Sequence, residues 1–279
     1  MLTPHPLSNI EYWFFKVNKG PIALIVDWIE RRKLNEHILR VSIHSPHKRE
    51  VIFERLKSFM PSDNFVSQKK TVGHSGDVSW DLDIELGSEK IKPDIFPAGL
   101  LRIPDTLYES APLAKFTGWI RHGNEKIFLD RVYGAVTQYW GRQLIQEWWW
   151  LSAHQFDQEN VAMECSVLRT SLWGTSLQMP LAYLYLYRNG KRNYWMAPPN
   201  TSNVQGSPDK FTIEFRLIGR KKITLIGTGR EYGDFGEQII NTLTGDLEIL
   251  EDNQLISYAK GTAGLERRTP QQTTVGQKK

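Results

Sequence analysis

No part of this chain holds a helical hydrophobic period for three or four turns, whereas short period-two runs recur along nearly all of it. Trp80, Leu82, Ile84 and Leu86 alternate with Asp81, Asp83 and Glu85; Phe211, Ile213, Phe215 and Leu217 alternate as strictly. Alternation of this kind gives one apolar and one polar face only when the backbone is extended. Further strands are read at 10–17, 21–29, 38–44, 50–56, 161–169, 181–187, 192–197, 222–227, 237–243, 246–250 and 255–260. Asn189-Gly190 marks a tight hairpin between two of them. Many short strands separated by turns build barrels or sandwiches. A length of 279 residues suits one large all-β unit or two domains of ordinary size.

Composition narrows the partners. The net charge of +4 is spread over short basic runs far apart in sequence, such as Arg31-Arg32-Lys33 and Arg220-Lys221-Lys222. A nucleic-acid footprint needs such charges gathered on a recognisable module, so no nucleic-acid partner is expected. Cys165 is the single cysteine and alternates with Met163 and Val167 on an apolar face, which makes it a buried small hydrophobe in a reducing compartment. Residues 1–9 show no secretory leader, and no apolar run reaches the length of a membrane span. The expectation is a cytoplasmic protein with no integral membrane segment.

The densest aromatic stretch runs from Gly118 to Phe156 and holds five of the ten tryptophans: Trp119, Trp140, Trp148, Trp149 and Trp150. Three consecutive tryptophans on a strand place bulky rings on both faces. One face fills a core, and the other must meet a second layer, a partner or a ligand. Ser152 and His154 share the face of Trp148 and Trp150. Two readings stand for that face: a core strand with a satisfied histidine, or an aromatic ligand wall with polar handles. Residues 92–113, with Pro93, Pro97, Pro104, Pro112 and Gly99, read as a long connection or lid. Residues 267–279 read as a disordered polar tail.

Several chemistries lack their motifs. There is no P-loop, no HExxH and no CxxC, and the seven histidines show no metal-ligand spacing. The glycines of Gly227-Thr228-Gly229 and Gly233–Gly236 lack the following helix of a dinucleotide site. No metal and no cofactor are expected.

Taken together, the motifs resemble the lipocalin-like superfamily of tocopherol cyclases, carotenoid 1,2-hydratases and decalin-forming Diels–Alderases. Glu11-Tyr12-Trp13-Phe14 is similar to the Glu-Trp-Trp-Tyr signature that opens the hydratase-like members. Gly118-Trp119-Ile120, Gly134, Trp140-Gly141, Trp148-Trp149-Trp150 and Phe156 resemble the central block of the cyclases, and Gly264-Leu265-Glu266 their last strand. The resemblance implies an all-β chain of two tandem lipocalin-like antiparallel β-barrels, residues 1–143 and 144–266, with an apolar pocket in or between them. It also locates a departure. Where the relatives carry acidic residues and a histidine before the Trp-Gly pair, this chain has Thr137, Gln138 and Tyr139. None of these supplies the positioned acid that alkene protonation requires. Of the other acids, Glu11, Asp81, Asp83, Glu147 and Glu164, most are expected to face solvent, with Glu11 in reserve.

A pericyclic ring closure needs no proton, only a pocket that folds a polyene into its reactive conformer and a hydrogen bond to a carbonyl. The leading expectation is therefore a cofactor-independent cyclase of a hydrophobic polyene or prenylated intermediate, of Diels–Alder type. His154, Gln138, Tyr139 and Glu11 are the candidate catalytic residues. Trp13, Trp80, Trp119, Trp140, Trp148, Trp150, Ser152, Tyr183 and Tyr185 are the candidate substrate contacts, each with core packing as the competing role. The alternatives are a non-catalytic lipid or pigment carrier, and an acid-catalysed cyclase or hydratase of an isoprenoid.

Overall fold

A computed structural model describes residues 2–20, 22–45, 48–88, 90–91, 106–141, 145, 147–171, 178–197, 201–216 and 222–269. The first sheet contains β1 (Ile10–Lys19), β2 (Ile22–Arg31), β3 (Glu36–His44), β4 (Arg49–Arg55), β5 (Phe65–Val66), β6 (Lys70–Ser75), β7 (Val78–Glu85), β8 (Thr106–His122) and β9 (Glu125–Gly141). The second contains β10 (Glu147–Ala153), β11 (Ala162–Ser171), β12 (Gln178–Arg188), β13 (Lys191–Ala197), β14 (Thr201–Ser207), β15 (Lys210–Arg216), β16 (Lys222–Thr228), β17 (Gly233–Asp234), β18 (Ile239–Glu251) and β19 (Gln254–Arg268). The described helix content is one 3₁₀ turn, Arg32–Leu34. The fold is all-β, as the alternation requires.

Neighbouring strands pair antiparallel, in the order β4-β3-β2-β1-β9-β8-β7-β6-β5 and β13-β12-β11-β10-β19-β18-β16-β15-β14, with β17 on β18. Each sheet curls round its own apolar core. In the first, Ile52 of β4 and Val66 of β5, on the two edge strands, pack into one cluster with Trp13, Phe15, Trp28, Trp80 and Phe116. In the second, Trp195 of β13 and Val204 of β14 join Trp149, Leu151, Cys165, Phe211 and Phe215. A sheet whose opposite edges share a core has closed, or nearly closed, into a barrel.

Barrel geometry needs local irregularities, and glycine supplies one of them. Gly118 of β8 has φ +140°, and a Cβ there would lie 2.1 Å from the Asp81 carbonyl oxygen of β7. Gly118→Ala is expected to destabilise the protein by about 3 kcal/mol, read as a lower urea midpoint with the slope unchanged.

Three sequence readings are corrected. Residues 106–113, expected to lie in a proline-rich connection, belong to strand β8, and residues 92–105 lie outside the described residues. Pro112 is tolerated there because the β8–β9 register shifts between Ala111 and Ala114, which takes the proline out of the regular ladder. The strands read at 237–243 and 246–250 are one strand, β18, with register shifts around Gly245. Arg267 and Arg268, read as the start of a disordered tail, belong to strand β19 and lie over the rings of Trp149 and Trp148, and residues 270–279 lie outside the described residues. The Asn189-Gly190 turn is present as read, with both residues at positive φ.

The two barrels meet through their outer faces. On β1, Trp13, Phe15 and Val17 enter the first core, so Tyr12, Phe14, Lys16 and Asn18 point away from it. All four reach the second sheet. Tyr12 Oη donates to Glu237 at 2.8 Å, Phe14 packs edge-on against Trp150, Lys16 donates to the Ser152 carbonyl, and Asn18 donates to the Leu243 carbonyl at 2.9 Å. An apolar cluster of Ala23, Ile25, Trp150, Phe235, Ile239 and Leu243 fills the rest of the junction. Arg40, buried with Asp27 at 3.0 Å, ties it by donating to the Phe235 carbonyl.

Candidate active site between the barrels

Each barrel interior holds a large cluster of its own apolar side chains. A second buried population, polar and aromatic, faces neither core. β10 presents Trp150, Ser152 and, just past its end, His154; β11 presents Glu164; β12 presents Tyr183 and Tyr185. Ser152 lies opposite Glu164, and Glu164 lies opposite Tyr185, so the pleat puts them on one face. Lys16 and Asn18 of β1, Ser110 and Tyr108 of β8 and Thr137 of β9 come to that face from the first barrel.

Glu164 is the centre of the group and is fully buried. Ser110 Oγ hydrogen-bonds Oε2 at 2.8 Å and lies 3.0 Å from Thr137 Oγ1. Trp150 Nε1 and Tyr183 Oη donate to Oε1 at 3.3 and 3.4 Å. Burial pushes the carboxyl up to about 8, against the Tyr183 hydrogen bond and the Lys16 charge. At neutral pH Glu164 is therefore a neutral acid. Glu164 comes from the second barrel and lies one hydroxyl, that of Ser110, away from Thr137 of the first.

Lys16 is fully buried too, its stem crossing Gly264 of β19, where a Cβ would meet the lysine Cε at 2.6 Å. Nζ donates to Asn18 Oδ1 at 2.7 Å and to the Ser152 carbonyl at 3.2 Å. Burial lowers its pKa to about 7, offset in part by Glu164. His154 is held neutral by burial, any positive charge on Lys16 acting in the same direction, and its ring hydrogen-bonds the Pro112 backbone, freed at the β8 bulge. Its Nε2 and the Ser152 Oγ are buried without a partner among the described residues. The site therefore offers a donor, Glu164, a bare acceptor, His154 Nε2, and a hydroxyl of either kind. Beside them Tyr108 and Tyr183 pack at 5.7 Å and Tyr183 and Tyr194 at 6.5 Å, in a cluster with Tyr185, Tyr187, Ile91 and Met196.

The other candidate residues lie elsewhere. Gln138 and Tyr139 are neighbours in sequence but point to opposite faces of β9. Gln138, opposite Trp13, joins a knot inside the first barrel, where it donates to Glu11 at 2.8 Å and to the Thr3 carbonyl at 2.6 Å. Trp13 and Arg32 also donate to Glu11, at 2.7 and 2.6 Å, and His5 stacks on Trp140 at 3.8 Å. Burial alone would raise the Glu11 pKa, but these donors hold it below the usual carboxylate range, so Glu11 is ionised at neutral pH. Its stabilisation is present above the ordinary carboxyl pKa and is lost as pH falls through the lowered one. Glu11→Gln is expected to cost about 2 kcal/mol at pH 7, measured by urea denaturation.

Tyr139 packs edge-on against Tyr12, and its Oη accepts from the Ile145 amide. Trp148 donates to Glu266 at 2.7 Å near the junction. Trp80 lies deep in the first core, bonded to Thr71 Oγ1, and Trp119 sits on the outside of its sheet under Lys126. Glu50, Asp77 and His122 bring ligand atoms within 4.8 Å of one another, a grouping from distant positions that sequence spacing does not show. Lys48 pairs with both carboxylates, at 2.6 and 3.4 Å, and offsets one of their two charges.

No protein-family model and no curated protein matches the chain. Solved structures do. A protein assigned as AttH from Nitrosomonas europaea aligns with TM-score 0.64 at 13% identity, over 95% of this chain and 93% of that one. Kievitone hydratase from Nectria haematococca aligns with TM-score 0.64 at 10% identity, over 96% and 91%. CghA, solved with Sch210972, aligns with TM-score 0.66 at 12% identity, over 94% and 89%. The chain shares their fold. Coverage of both partners is nearly complete, so the likeness takes in both barrels, the arrangement that resemblance to the lipocalin-like cyclases and hydratases implies. Among the described residues no helix is long and apolar enough to cross a membrane.

Proposed function

We propose that the chain is a cofactor-independent cyclase that closes a ring within a hydrophobic polyene or prenylated molecule held between the barrels, with Glu164 as the activating donor. The carrying observation is the fully buried, neutral carboxyl of Glu164, ringed by Ser110, Trp150 and Tyr183. A neutral carboxyl aimed at a substrate carbonyl withdraws electron density from a conjugated dienophile without transferring its proton. Tyr108, Tyr183 and Trp150 provide flat faces for an extended chain, and the neighbouring Ser152 and His154 hold a polar terminus. The likeness to a hydratase and to CghA supports chemistry on small molecules in this fold.

The same acid favours a second reading. Full proton transfer from Glu164 to an alkene would start a cationic cyclisation or hydration, with the tyrosine faces stabilising the cation. The test adds purified protein to an extract of source cells that lack it, in H₂O and in D₂O. A product of unchanged mass and new retention, without solvent deuterium, supports the pericyclic route; incorporated deuterium supports acid initiation. A product heavier by one water identifies a hydratase. A hydrophobic compound retained unaltered on the protein would make it a carrier and overturn the enzyme reading. His154→Ala is expected to lower turnover with the fold retained, checked by circular dichroism beside the rate.

A further inference from the structure

Lys16 is not needed for either route above, yet it lies at the centre of the site. A neutral amine has two N–H donors and one lone pair, whereas an ammonium has three donors. Two oxygens receive hydrogen bonds from Nζ, Asn18 Oδ1 at 2.7 Å and the Ser152 carbonyl at 3.2 Å. Among the described residues no carboxylate forms an ion pair with it and no third acceptor is present. This environment satisfies the neutral amine in full, leaves its lone pair free, and would strand one proton of the ammonium. The burial that lowers the Lys16 pKa acts in the same direction. Ser152, whose carbonyl holds Nζ, is the cross-strand partner of Glu164. The unpartnered Ser152 Oγ and His154 Nε2 stand on the same face.

We propose that Lys16 is a Schiff-base nucleophile and that the substrates of this site are hydrophobic conjugated aldehydes or ketones. The inference rests on the inter-barrel site argued above. The Nζ lone pair attacks the carbonyl carbon, a C–N bond forms, and one amine proton moves to the carbonyl oxygen to give a carbinolamine. Glu164 then protonates the hydroxyl, which leaves as water while the nitrogen lone pair closes the C=N bond. The products of that step are an iminium on Lys16, a carboxylate on Glu164 and one water, so charge and atoms balance internally. The iminium activates a conjugated chain more strongly than a hydrogen bond does, and the new carboxylate pairs with it. Water returning to the C=N carbon releases the product and restores both residues.

The experiment uses the full chain, (2E,4E)-decadienal as the reactive probe and 2,4-decadienol as its unreactive counterpart. Protein and aldehyde are mixed at neutral pH with cyanoborohydride, and modified lysines are mapped by peptide mass spectrometry. The expected result is a reduced adduct on Lys16 that saturates at one equivalent. Without reductant, a red-shifted dienal absorbance should appear. Both signals should vanish in Lys16→Met, which should still bind decadienol, read by tryptophan quenching. Adducts confined to other lysines while decadienol binds would overturn the Schiff base and leave the inter-barrel site standing. Failure of both probes to engage would overturn the two together. Mapping in the unaltered protein decides the matter even if the variant folds poorly.

Discussion

Glu164→Gln is expected to lower turnover by about 10²–10⁴-fold while leaving the urea midpoint nearly unchanged. The amide has the size and neutrality of the protonated carboxyl, so its oxygen can accept from Trp150 and Tyr183 and its nitrogen can donate to Ser110. What it cannot do is give up a proton or match the polarising strength of a carboxyl group. In the unaltered protein the rate should fall as pH rises through about 8, where Glu164 ionises. A variant that turns over at the normal rate would remove Glu164 from the chemistry. Activity would then rest on shape alone, or the protein would be a carrier.

Lys16→Met should raise the thermal midpoint at pH 7 and lose that advantage towards pH 10.5. In the unfolded chain the lysine keeps its proton up to about 10.5, whereas in the folded protein burial lowers the pKa to about 7. Between those values the unfolded state binds the extra proton, so the unaltered protein loses stability as pH falls from 10.5 to 7. A methionine carries no such term, and Glu164 is common to both chains. The gap between the two should change by several kcal/mol across that window, measured by thermal melts at matched ionic strength. A pH-independent gap would mean that Lys16 remains an ammonium in the fold, which would also remove the nucleophile. Gly118→Ala and Glu11→Gln test the frame around this site rather than its chemistry.

Strand identity was legible because side-chain alternation is a property of the extended backbone and survives any tertiary context. Phe211, Ile213 and Phe215 had to share a face, and so did Trp150, Ser152 and His154. The all-β class followed from that period, and the motif order pointed to two barrels. Strand ends and bulges were less legible, since Pro112 and Gly245 break local pattern without ending their strands.

The site followed a different rule. Gln138 and Tyr139 are adjacent in sequence and parted by the pleat, one inside the first barrel and one outside it. Glu164 alternates with Met163 and Cys165, the pattern of any barrel strand whose polar face meets water. Lys16 gave one faint signal, sharing a face with Tyr12 and Phe14 in a strand otherwise rich in aromatics. The sequence by itself determined which residues share a face of each strand, because the period of two is local. Only the tertiary structure decided what lies against the outer faces. There a second barrel takes the place of water, and desolvation raises the pKa of an ordinary glutamate to about 8 and lowers that of an ordinary lysine to about 7.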